Sequence, residues 1–194
     1  MRLKTTTALA LAAAMLPLMA QADNLSYSYV DVAYVSTDLD DFDEEIDGFA
    51  LRGSVEFTEQ AFVFGGYTDQ STTLFGEDLD VRSYELGLGY AWPVSDTADF
   101  YGKIGYVQAE AEFAGITVDD DGFSLGAGLR GRVAEQFELE GAVTYTDLSD
   151  SGDDTVLGLG ARWYFTDAFN LGVEADIGND ATTYGVGGRF NFGL

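Results

Sequence analysis

The chain has 194 residues, with 34 acidic side chains against nine basic ones and neither cysteine nor histidine. Lacking those two residue types, it has no disulfides, no thiolate chemistry and no mechanism built on an imidazole. The acidic excess, a formal charge of −25, repels phosphate backbones and argues against nucleic acid as a partner, while 46% hydrophobic and 14% aromatic content argues against disorder.

Residues 1–22, MRLKTTTALALAAAMLPLMAQA, place Arg2 and Lys4 before an apolar run from Ala8 to Ala20 and end in Ala20-Gln21-Ala22. A basic start, a short apolar stretch and small residues at its close form the pattern of a secretory signal peptide cut after Ala22, which leaves 23–194 as one mature domain. An uncleaved anchor is the alternative, disfavoured by the short run and the polar residues that follow it.

No later apolar run approaches the roughly 18 residues of a transmembrane helix. Instead, alternation with a period of two recurs in ten segments: 25–35, 48–57, 61–70, 81–92, 98–109, 122–133, 137–147, 155–165, 169–178 and 183–194. The breaks alternate in kind. Thr58-Glu59-Gln60, Pro93 to Thr97, Ala134-Glu135-Gln136 and Thr166-Asp167-Ala168 are short, whereas 36–47, 71–80, 110–121 and 148–154 are acidic and mostly longer, with a brief break at 179–182. That alternation predicts an up-and-down antiparallel sheet with one plain end and one elaborated end. FTEQA, VAEQF and FTDAF resemble one another, through internal duplication or through shared turn chemistry.

Parity assigns the faces. In 48–57 Phe49, Leu51, Gly53, Val55 and Phe57 oppose Ala50, Arg52, Ser54 and Glu56; in 81–92 Tyr84, Leu86, Leu88, Tyr90 and Trp92 oppose Glu85, Gly87 and Gly89. The third segment is ambiguous: a three-residue turn turns Ala61, Val63 and Tyr67 outward, a two-residue turn Phe62 and Phe64. The basic residues Arg52, Lys103, Arg130, Arg132, Arg162 and Arg189 fall on the polar face, and only Arg82 does not. Glu56, Glu85, Glu138, Glu140, Glu174 and Asp176 share that face, with Asp31 a less certain member. Across the turn at 134–136, Arg132 is expected opposite Glu138 and Arg130 opposite Glu140.

A soluble sandwich also has one apolar face, so aromatic placement decides between sandwich and membrane barrel. Toward the plain end the apolar face carries Phe57, Tyr90, Trp92, Phe100, Phe137, Trp163, Phe165, Phe169, Phe190 and Phe192; toward the acidic end it carries Tyr34, Phe49, Tyr84, Tyr106, Phe123, Tyr145 and Tyr184. Two aromatic girdles bracketing an aliphatic band match the two interfaces of a bilayer. The prediction is an all-β, transmembrane up-and-down antiparallel barrel of ten strands, with eight as the alternative.

With its signal peptide, SYELGLGYAWPVSD (83–96), DFYGKIGYV (99–107) and the end GVGGRFNFGL, the sequence resembles small bacterial outer-membrane β-barrels of the OmpX type and the OmpA transmembrane domain. The resemblance implies the outer membrane of a Gram-negative bacterium. It also implies that Gly187, Phe190 and Phe192 form the carboxy-terminal signal read by the outer-membrane insertion machinery, although Gly193-Leu194 replaces the usual terminal aromatic.

GAGLRG (126–131) matches G-x-G-x-x-G, but its glycines alternate within a predicted strand where a dinucleotide site needs a strand-to-helix turn. The stretches 38–47 and 119–121 offer carboxylates without the glycine of an EF-type loop, leaving loose divalent-cation binding that bridges to lipopolysaccharide, or a merely solvated surface. No cofactor or enzymatic activity is expected. Paired inward charges, with Tyr101 and Tyr164 also inward, point to a filled lumen. The expected role is structural or surface-interactive, in envelope integrity, adhesion or contacts with lipopolysaccharide; a narrow porin-like channel is the alternative.

Overall fold

A computed structural model of the protein describes residues 25–39, 45–74 and 76–192. The expected signal peptide, the centre of the first acidic break at 40–44 and the terminal Gly193-Leu194 lie outside the described residues. Ten antiparallel strands follow the chain: β1 (Tyr29–Leu39), β2 (Glu45–Glu56), β3 (Ala61–Leu74), β4 (Glu77–Ser95), β5 (Ala98–Phe113), β6 (Ile116–Ala134), β7 (Phe137–Leu148), β8 (Gly152–Tyr164), β9 (Phe169–Ile177) and β10 (Ala181–Asn191). Each strand pairs with its sequence neighbours, and β1 also pairs with β10 from Tyr29↔Asn191 to Leu39↔Ala181, which closes the barrel. Closure leaves no unpaired backbone edge along the wall, the condition for a sheet to cross hydrocarbon.

The period-two pattern is converted into an outer and an inner surface. On β1, Val30, Val32 and Tyr34 are exposed on the outer wall while Asp31, Ala33 and Val35 are buried inside. Phe57, Trp92, Phe100, Phe137, Trp163 and Phe169 are exposed around one end of the wall, and Tyr34, Phe49, Tyr84, Tyr106, Phe123 and Tyr184 around the other. Leu86, Leu88, Ile104, Leu125 and Val173, among others, are exposed between them, so the apolar area excluded from water is covered by lipid rather than by protein.

The ambiguity of the third segment is resolved by its turn. Residues 57–60 form it, with the amides of Phe57 and Thr58 donating to the Ala61 carbonyl and the Thr58 hydroxyl accepting from the Ala61 amide. Val55 then pairs with Val63 and Glu56 with Phe62; Val63 is exposed, and Phe62 and Phe64 are buried inside.

Two expectations are corrected. The acidic breaks 71–80 and 110–121 are not loops but continuations of the wall. β3 and β4 stay paired to Leu74↔Glu77, and β5 and β6 to Phe113↔Ile116. Ala114 and Gly115 carry the two positive φ values, 51° and 77°, that a type I′ hairpin turn requires. Nor is the first segment a strand from residue 25: residues 25–28 leave the wall and enter the lumen.

Toward the acidic end of the wall, two glycines sit in close contact with a neighbouring strand's backbone. At Gly48 an added Cβ would fall 1.9 Å from the Asp69 carbonyl oxygen, and at Gly122 1.8 Å from that of Asp147, so only a glycine permits the close backbone approach. Gly122→Ala is expected to destabilise the barrel by about 1–3 kcal/mol, read as a lower urea midpoint for loss of the heat-modifiable gel mobility of the folded form.

Candidate functional site

Inside the barrel, an apolar layer and a layer of ion pairs share the half nearer the short turns. Leu25 and Tyr27 from the entering segment pack with Phe62, Phe64, Ala91 and Tyr101. The Tyr27 ring stacks on Phe62 at 4.6 Å and meets Tyr101 edge-on at 6.2 Å. Inward glycines make room for these rings. An added Cβ at Gly89 would fall 2.1 Å from the Phe62 ring, and at Gly128 2.5 Å from that of Tyr101.

The structure places the predicted lumen residues as follows. Arg130 donates to both carboxylate oxygens of Glu138 at 2.7 and 3.1 Å, and to the Ser26 carbonyl at 2.8 Å. Both partners are buried, at 2% and 1% exposure, and the Tyr164 hydroxyl donates to Glu138 at 2.6 Å. The register puts Arg130 opposite Glu140 and Arg132 opposite Glu138, yet the ion pair is the diagonal one. A long guanidinium reaches the diagonal neighbour, while Glu140 accepts from the Tyr101 hydroxyl at 2.5 Å. Arg132 instead lies over the Tyr164 ring at 3.9 Å and donates to the Glu135 carbonyl.

Arg52 makes a bidentate pair with Glu174 at 2.6 and 2.7 Å. Glu56 accepts from the Ser28 hydroxyl and Glu85 from that of Ser124. Lys103 sits over the rings of Phe64 and Tyr101, at 5.1 and 5.7 Å. Together with Asp176 it lines a cavity of about 290 Å³ in the lumen, beside Arg52, Glu85, Glu140 and Glu174.

Asp31, the least certain inward residue in the sequence, is the centre of the network. Arg162 approaches it at 2.9 Å, Arg189 at 3.2 Å and Arg52 at 4.0 Å. It faces Arg189 across β1–β10 and Arg52 across β1–β2, so one carboxylate ties both seams of β1. Sequence reasoning missed the entry of residues 25–28 into the lumen; two polar serines around Tyr27 were the available signal.

Outside the membrane, Arg82 is held between Glu110 at 2.9 Å and Asp69 at 3.7 Å on the outer surface of three neighbouring strands. The Tyr67 hydroxyl donates to Asp69 at 2.8 Å. Asp120 anchors the β7–β8 turn, accepting from the amides of Asp150 and Ser151. A Ser151 side-chain hydrogen bond, aided by those amides and that of Asp121, overcomes desolvation and holds its carboxyl below the usual range. The stability from this contact is therefore present above the ordinary carboxylate pKa and lost as pH falls through the lowered one. Among the described residues, no three acidic side chains gather closely enough to hold a metal ion.

The profile of the outer membrane protein beta-barrel domain matches residues 7–190. The chain belongs to this family of outer-membrane β-barrels. Its place is accordingly the outer membrane of a Gram-negative bacterium. No curated protein matches the sequence. Among solved structures, the NanC porin is similar with a TM-score of 0.55 at 10% identity, over 84% of this chain and all of the other. OprG from Pseudomonas aeruginosa aligns with a TM-score of 0.48 at 13% identity, over 89% and 99% of the two chains. Ail, the attachment invasion locus protein of Yersinia pestis, solved with the heparin analogue sucrose octasulfate, aligns with a TM-score of 0.47 at 18% identity, over 84% and 95%. At these identities the likeness concerns the fold alone.

The buried pair generates a two-part prediction. Glu138→Gln leaves the Arg130 guanidinium buried without its counter-charge and is expected to cost about 3–5 kcal/mol, whereas the double variant Arg130→Met/Glu138→Leu is expected to recover most of that loss. Urea titrations of the refolded barrels in lipid vesicles check both.

Proposed function

We propose that this outer-membrane barrel is a closed scaffold that acts at the cell surface, not an enzyme and not a conduit. The observation that carries the reading is the plug: Leu25 and Tyr27 stack against Phe62 and Tyr101 across the lumen, and Arg130 ties the same segment to Glu138 through the Ser26 carbonyl. Ionic groups in a low-dielectric interior are tolerated when paired, and here pairing also occupies the bore.

On this reading the lumen charges, the twelve from Arg52 to Arg189 together with Asp31, hold the wall together, and Gly187, Phe190 and Phe192 serve insertion. Phe190 is exposed on the outer wall and packs on Phe169 and Phe192, which supports that assignment. Envelope integrity and adhesion follow from a rigid wall that rises past the membrane. Outward carboxylates such as Asp69 and Glu110, next to the outer tyrosines, would meet lipopolysaccharide phosphates through bridging divalent cations, each cation drawing most of its ligands from lipid and water. The second reading, a narrow channel, is favoured by the charged 290 Å³ cavity above the plug.

Planar-bilayer recording separates the two. The purified protein is expected to give no stepwise conductance, and the Tyr27→Gly/Phe62→Ala variant, which removes both stacked rings, is expected to admit ions. Reproducible steps from the unaltered protein would move the assignment to a channel.

A further inference from the structure

The wall changes its polarity as it leaves the membrane. Up to the outer aromatic girdle, apolar residues point outward: Tyr84, Leu86 and Leu88 on β4, Ile104 and Tyr106 on β5, Phe123 and Leu125 on β6. Beyond it the parity of the apolar residues inverts on all three strands. Leu79 and Val81, Ala111 and Phe113, and Ile116 and Val118 take the positions that in the membrane belong to the lumen side. They lie in two continuous rows across the sheet, Leu79↔Phe113↔Ile116 and Val81↔Ala111↔Val118. The opposite face of the same strands carries Asp78, Asp80, Glu110, Glu112, Asp119 and Asp121. From Tyr84 to Glu77 the projection runs seven residues, roughly 23 Å at strand rise.

This sheet is therefore amphipathic in the opposite sense to the barrel that bears it. Among the described residues, its apolar face is exposed along β5 and β6, with Ile116 69%, Val118 62% and Phe113 38% exposed, while Leu79 and Val81 on β4 are half-buried. Water, not lipid, meets these side chains, since they stand beyond the tyrosines that mark the interface. A contiguous exposed apolar face is the signature of an interaction surface, and Glu77 stands at its end on the same face.

Charge selects the occupant. The only cation on the sheet among the described residues is Arg82, and it is already engaged by Glu110 and Asp69. A second copy of this chain would bring the same carboxylates and a net charge of −25, and the acidic segment 40–44 of this chain carries the same sign. We propose that the inner face of the β4–β6 projection is a docking site for a cationic amphipathic polypeptide segment, its apolar stripe laid along the two rows and its lysines or arginines reaching Glu77 on that face and, around the edge of β6 beyond its pairing with β7, Asp119 and Asp121. The proposal rests on the surface role proposed above and gives that role a partner chemistry.

The test uses the full mature protein in phosphatidylcholine nanodiscs and a fluorescent peptide of alternating leucine and lysine, read by anisotropy against empty discs. Saturable binding is expected, lost when the leucines are replaced by serine at unchanged charge. The Ile116→Thr/Val118→Thr variant preserves strand propensity and net charge and is expected to bind about tenfold more weakly or worse, with unaltered heat-modifiable mobility as proof of folding. Binding no better than to empty discs, or equal binding by the variant, would overturn the proposal. So would sedimentation showing a dimer that the same variant dissolves, since the face would then belong to a second copy. None of these outcomes bears on conductance, so the closed-scaffold reading stands or falls separately.

Discussion

Backbone hydrogen bonding in a medium without water dictates the rest of this structure. Hydrocarbon offers amides and carbonyls no partner, so a sheet crosses it only when its last strand returns to its first. Here β10 returns to β1 along its full length. Once the cylinder is closed, each side chain has two choices, lipid or lumen, and alternation along the strand assigns it. Ionic groups sent inward by that rule are then confined to a narrow space where an uncompensated charge costs several kcal/mol, and the network follows. Asp31 gathers Arg52, Arg162 and Arg189, and Glu138 takes Arg130.

The same confinement explains the plug. A ring of ten strands encloses more space than the pairs alone fill, and the glycines at 87, 89 and 128 widen it locally. Aromatic side chains from β3 and β5 enter that space, and the segment before β1 completes the layer with Leu25 and Tyr27. Arg130 links the two kinds of filling, since it pairs with Glu138 and also holds the Ser26 carbonyl and lies 5.1 Å from the Tyr27 ring. An apolar plug and an ionic brace thus form one unit at the end nearer the short turns, leaving a polar cavity above it.

Outside the membrane the constraint lifts, and the wall is free to reverse its faces. The reversal was written in the chain as a change of phase: Leu79 and Val81 are odd-numbered, whereas Tyr84, Leu86 and Leu88 are even. Arg82, the one basic residue off the lumen face, marks the switch. Acidic composition made these stretches resemble loops, because carboxylates are common in turns. Their alternation nonetheless supplies strand pairing, and composition and period gave conflicting answers that only the hairpin geometry at Ala114-Gly115 settles.

What the sequence determined by itself was set by one-dimensional periodicity: the ten strands where they cross the membrane, the order of their connections, the aromatic girdles and the inward direction of Arg52, Lys103, Arg130, Arg132, Arg162 and Arg189. A period of two translates directly into a side of the wall, so parity needs no tertiary knowledge. Partners within the lumen are a different matter. Arg162 on β8 and Asp31 on β1 are not strand neighbours and meet only across the bore, Arg130 prefers its diagonal neighbour to the one opposite, and residues 25–28 turn inward to a cavity that exists only once the cylinder has closed. Tertiary structure alone decided these contacts, because the diameter and stagger of a barrel, and hence which side chains face one another across it, are properties of the assembled ring and of no single strand.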